Sequence, residues 1–137
     1  MRESPISVKS KEMKKIQDIQ TTIESFYKAF HEKDWEQFGT YLTDDFQYFT
    51  DNCIIQSKAD FINFLRNDVW IGISYSIQDL KIRTDQNSSI GFASYKTSFT
   101  GKHKDQEMTV EAIESLMLIM EGDDWQIAHM HTSNKMA

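Results

Sequence analysis

Apolar residues between Met13 and Phe30 recur at three- and four-residue steps (Met13, Ile16, Ile19, Ile23, Phe26, Tyr27, Phe30), with Lys15, Asp18, Thr22 and Glu24 between them. That spacing predicts one long amphipathic helix with a broad face to bury. Asp34, with Gln37 three residues on, has the form of a helix start, so a short second helix is expected through Trp35, Phe38, Tyr41 and Leu42. Phe46 to Thr50 reads as a strand that turns at Asp51-Asn52 into a short return over Cys53 to Gln56. Ser57 followed by Asp60 resembles a capping box, and Phe61, Phe64 and Leu65 give a third helix one apolar side, ending near Asn67. Trp70 is placed in the connection that follows.

From about Ile73 the periodicity changes to that of strands: Ile73 to Arg83, Ser89 to Thr100, Met108 to Met120, and a last one from Asp124 to Ser133. In the first, apolar residues change parity between Ile77 and Leu80, and in the second between Phe92 and Tyr95, so a bulge is expected in each. Long, bent strands of this kind curl. The expected fold class is α+β, a curved antiparallel sheet wrapped around a long N-terminal helix and two shorter ones. Leu116, Leu118 and Met120 alternate with Met117 and Ile119, so both faces of that strand are apolar, and a second copy of the chain is the expected cover for the outer face.

Composition narrows the function classes. A chain of 137 residues with nine Phe, five Tyr and three Trp against one Pro can bury a single core without disulfides or metal. The expected division is a mobile tail over residues 1–10 and one domain over 11–137. A net charge of -6 opposes binding to nucleic acid or to anionic membranes. With Cys53 as the sole cysteine, and no signal-like segment at the amino terminus, a cytoplasmic protein is expected. No phosphate loop, Ser-His-Asp order or paired cysteines occur, which excludes the usual signatures of nucleotide hydrolysis and zinc ribbons. No cofactor is expected.

Strand alternation in the last segment sets Trp125, Ile127, His129 and His131 on one face, so both imidazoles are expected to line a pocket. Glu114 shares a face with Ala112, Leu116 and Leu118 on a strand expected to pair with that one. A buried acid needs a proton or a partner, and His129 or His131 is the expected partner, which makes Glu114, His129 and His131 the candidate catalytic residues. His-x-His on a strand is also the spacing of two metal ligands, but a third must come from elsewhere, with only Glu114, Asp51 or His103 available, and no metal is expected. Tyr48, Thr50, Trp70, Tyr95, Leu116 and Ile127 are the candidate ligand-binding residues, with Thr97 on the side of Tyr95; hydroxyls in an aromatic wall are how an apolar pocket orients a polar group.

The element order, Phe30 through Asp34-Trp35, the step Thr43-Asp44-Asp45-Phe46, and the ending Trp125-Gln126-Ile127-Ala128-His129-Met130-His131-Thr132-Ser133 resemble the SnoaL-like branch of the nuclear transport factor two superfamily. The ending is similar to that of the calcium/calmodulin-dependent kinase II association domain and its stand-alone relatives. The resemblance covers about residues 11 to 133 and implies a cystatin-like cone with a pocket between sheet and helices. Set against ketosteroid isomerase in that superfamily, it implies Phe26 at the position of the enzyme's tyrosine, Thr50 at its catalytic carboxylate and Glu114 at its protonated acid; one match of three argues against steroid enolisation. Leu116 stands where the kinase domain carries a pocket arginine. Binding of a small, largely apolar organic molecule by a homodimer is the expected function. A lyase or isomerase working through a Glu/His pair, and an association module without catalysis, are the alternatives from other classes.

Overall fold

A computed structural model describes residues 5–85 and 87–135 of the chain. Helix α1 runs Pro5–Glu32, α2 Trp35–Thr40 and α3 Lys58–Arg66; the strands are β1 Leu42–Thr50, β2 Cys53–Ile55, β3 Trp70–Arg83, β4 Ile90–His103, β5 Gln106–Glu121 and β6 Asp124–Asn134. The two expected caps form: the Asp34 side chain accepts the Gln37 N–H at 3.2 Å and the Ser57 hydroxyl accepts the Asp60 N–H at 3.1 Å. Helix α1 starts with Pro5, a residue suited to a first helical turn, where its missing N–H is not needed. Of the expected mobile tail, therefore, residues 5–10 are helical, while residues 1–4 lie outside the described residues. Among the described residues no helix is long and apolar enough to cross a membrane.

The strands form one curved sheet in the order β2-β1-β6-β5-β4-β3. Every pairing is antiparallel except that of β1 with β6, which is parallel, so the sheet is mixed where an antiparallel one was expected. The chain reaches that arrangement because the last strand enters between β1 and β5 and closes the sheet's middle. Helix α1 lies on the concave side, where Ile19, Ile23, Phe26 and Tyr27 are buried with Phe38 of α2, Phe46 of β1 and Leu116, Leu118 and Ile127 of the central strands. Each fully buried aliphatic side chain of this set contributes roughly 1.5–3 kcal/mol relative to exposure.

Bulges decide which residues this core receives. The expected one in β3 is present, between Gln78 and Lys81 with Asp79 at a φ of 57°, and it brings Tyr75, Ile77, Leu80 and Ile82 to the same side. The one expected in β4 is absent: β4 pairs with β5 without a break from Ile90 to His103, and Ile90 and Phe92 simply point outward, exposed. An unanticipated bulge lies in β6. Leu118 pairs with Ile127 but the adjacent Met117 pairs with His129, so Ala128 is an extra residue that reverses the parity of everything after it.

Trp70 opens β3 rather than lying in a connection, and it crosses Gly101 of β4. A Cβ on Gly101 would stand 2.5 Å from the Ile71 carbonyl oxygen and 2.5 Å from Trp70 Cζ2, a clash with backbone that no rotamer relieves. Gly101→Ala is expected to cost about 1–3 kcal/mol of stability, read as a fall in urea midpoint, and a midpoint equal to wild type would disprove the close approach.

Candidate functional site

Between α1, α3 and the concave sheet lies a cavity of about 250 Å³. Its walls are largely aromatic, with Phe26, Tyr27, Phe30, Tyr48, Phe61 and Trp70 among its lining residues. Asp68 and Asn134, both exposed, mark its open end; Glu114, 4 % exposed, lies at its closed end.

Glu114 is held by hydroxyls from both neighbouring strands. Thr97 of β4 donates to Oε1 at 3.0 Å, and Thr132 of β6 donates to Oε2 at 2.9 Å. The Tyr27 hydroxyl of α1 stands near the carboxyl group and, like those two, lowers its pKa. Burial outweighs the three, and the Glu114 pKa is raised above the ordinary glutamate value. Tyr27 and Tyr95 share a hydrogen bond with hydroxyl oxygens 2.6 Å apart. Either hydroxyl can donate in that bond, and the pair stands beside the acid. Burial first, and then the nearby carboxylate, push both phenols well above their usual pKa. Tyr48 is raised as well, mainly by burial, with Thr132 and Thr50 acting in the opposite sense through hydrogen bonds.

The candidate residues divide sharply in position. Glu114, Tyr48 and Trp70 line the cavity. Tyr95 lies behind it as the partner of Tyr27, and Leu116 and Ile127 are packed in the core. Thr50 is turned to the backbone, donating to the Thr132 carbonyl oxygen at 3.0 Å. His129 and His131 are not in the cone: the Ala128 bulge places them on the convex face, where the His129 ring lies 5.0 Å from that of Phe49 and His131 is exposed. The sheet itself separates both imidazoles from Glu114, which corrects the expected acid-base pair and any ligand shared between them. Met130 and Thr132 take the inward positions instead.

Sequence reasoning missed Tyr27 and Thr132. Tyr27 looked like one more apolar helix position, and the hydroxyl absent at Phe26 is supplied one residue later. Thr132 was assigned to the outer face by regular alternation.

The sign of the Glu114 shift sets a pH dependence. With the native pKa raised, the folded chain holds this proton over a range in which the unfolded chain has lost it. The associated stability is complete below the ordinary glutamate pKa and is lost as pH rises through the native one. Urea titrations across this range should therefore show wild type losing stability relative to Glu114→Gln as pH rises; a constant difference between the two would exclude the raised pKa.

The sequence signature of the SnoaL-like domain family matches residues 19–137. None of the curated proteins matches the chain. Among solved structures, a Mycobacterium tuberculosis protein of unknown function is similar over 98% of this chain and 78% of its own, at a TM-score of 0.81 and 16% identity. The calcium/calmodulin-dependent kinase II hub homology domain of Chlamydomonas reinhardtii covers 88% of this chain and 98% of its own at a TM-score of 0.75 and 13% identity. A ketosteroid isomerase-like protein of Erwinia carotovora covers 88% and 96% at a TM-score of 0.74 and 16% identity. At such identities the structural likeness is one of fold. The match of the family signature over residues 19–137, most of the chain, establishes that the chain belongs to the SnoaL-like domain family.

Proposed function

We propose that the chain binds a small, largely apolar organic molecule in the cone, its polar group directed at Glu114. The observation that carries this reading is the combination of an open, ring-walled cavity of about 250 Å³ with one buried acid fixed at its closed end by hydroxyls from both neighbouring strands. An association module has no need to keep such a space clear or to bear the cost of burying a carboxyl group in it. The size favours a compact ligand, near the lower end of common pockets, roughly 300 Å³. Catalysis as a lyase or isomerase is the second reading, and the Tyr27-Glu114 contact favours it. With the histidines outside the cone, its second ionisable carboxyl group would be Asp68 at the mouth.

Native mass spectrometry of the purified protein should reveal an organic adduct released on denaturation. Ala112→Leu, which extends a side chain into the cavity, should lower its occupancy with the circular dichroism unchanged. A bare chain that also gives no chemical-shift response to small aromatic compounds would remove the binding reading.

We also propose that two copies pair through the convex face. Phe92 is 55% exposed there beside Met117, and a groove across this face has Asp45 toward one end and Lys81 and Arg83 toward the other. A two-fold arrangement sets Asp45 near the partner's Lys81 and apolar centre on apolar centre, as an isologous interface requires. Light scattering should give twice the chain mass for wild type and one chain mass for Phe92→Glu. A monomeric wild type at tens of micromolar would contradict the pairing.

A further inference from the structure

The charge balance of the cavity points to a class of ligand. Both Glu114 oxygens receive O–H donors, from Thr97 and Thr132. An ionised carboxylate is acceptor-only and takes both, whereas a protonated one would also have to place its own O–H. The hydroxyls satisfy oxygen lone pairs and carry no charge. A buried carboxylate is retained at low cost only when a positive group compensates it. Among the described residues, no lysine, arginine or histidine lines this cavity, and its other ionisable carboxyl group is Asp68 at the mouth. His31 and Lys33 line a separate hollow of about 50 Å³ that shares the Phe30 and Trp70 wall.

The cavity therefore combines an acid at its floor, an acid at its mouth and aromatic walls. Neutral and anionic ligands leave that acid uncompensated, while a cation is attracted both by the carboxylate and by ring faces. We infer that the ligand is a compact organic cation, a protonated amine with an apolar body, whose nitrogen lies against Glu114. This rests on the cone's being the ligand site. The groups facing Glu114 are the Tyr27 hydroxyl from α1, Tyr95 from β4 and Tyr48 from β1, with Asp68 at the far end; the nearby hydroxyls remain protonated across neutral pH. Amine affinity accordingly tightens as pH rises through the Glu114 titration, because ionisation of the acid creates the counter-charge.

Calorimetry with benzylamine, benzyl alcohol and benzoate separates the possibilities. Benzylamine is expected to bind on the order of tenfold tighter than benzyl alcohol, with benzoate weakest, and Glu114→Gln should bring amine and alcohol level. Should that variant fail to fold, the wild type carries the test: acidification weakens amine binding and leaves the alcohol unchanged. Alcohol or benzoate binding as tightly as the amine would overturn the cation and leave the cone a ligand site. If none of the three binds and the purified protein carries no adduct, the cone reading fails and the cation with it.

Discussion

The extra residue at Ala128 is the constraint from which the rest of this site follows. Register in a sheet is binary: one inserted residue exchanges inside for outside over the remainder of the strand. Up to Ile127 the last strand supplies apolar bulk to the core, as its pairing with Leu118 requires. Beyond the bulge, Met130 and Thr132 turn inward, and Thr132 reaches the Glu114 oxygen that Thr97 leaves free. Without the insertion, imidazoles would occupy those places. The acid would then have a titratable partner in place of a hydroxyl.

Around that register the sheet is bent to hold α1, and the bending has a similar origin. The bulge of β3 at Asp79 keeps two stretches of the strand facing the helix although their sequence parity differs. Tyr27 on α1 then meets Tyr95 on β4 and Glu114 on β5, so a helix and two strands are tied by a single chain of hydroxyls. A linked set of buried hydroxyls of this kind favours one arrangement over alternatives. A buried polar cluster of this kind costs desolvation and returns specificity of position. The raised pKa of Glu114 records that balance, with burial exceeding what the donors recover.

The convex face obeys different requirements. It has no helix over it among the described residues, and its apolar members, Phe92, Met117, Ile119 and Phe49, alternate with the residues that line the cone. A sheet only one strand thick thus has two surfaces to satisfy, one facing the cavity and one facing outward. His129 and His131 belong to the second, and their chemistry bears on that surface rather than on the cone.

Much of the architecture was legible in the residues themselves. Three helices with two of their caps, the first hairpin, the bend in β3 and the apolar neighbours of Glu114 follow from local periodicity and from single residues such as Asp34 and Ser57, since hydrogen bonds within a few residues leave a direct mark on sequence. The parallel pairing of β1 with β6 left no such mark, because it joins residues some eighty positions apart. Nor did the Ala128 bulge: Trp-Gln-Ile-Ala-His-Met-His is compatible with regular alternation, and only pairing with Met117 and Leu118 on a curved neighbour selects the interrupted one. Ile90 and Phe92 show the converse error, where apolar character suggested burial and an unbroken ladder turned them outward. Local sequence determined which elements form and that an acid would stand among apolar neighbours on β5. Tertiary pairing decided which side chains meet it, since the face a strand residue occupies depends on every partner that sets its register.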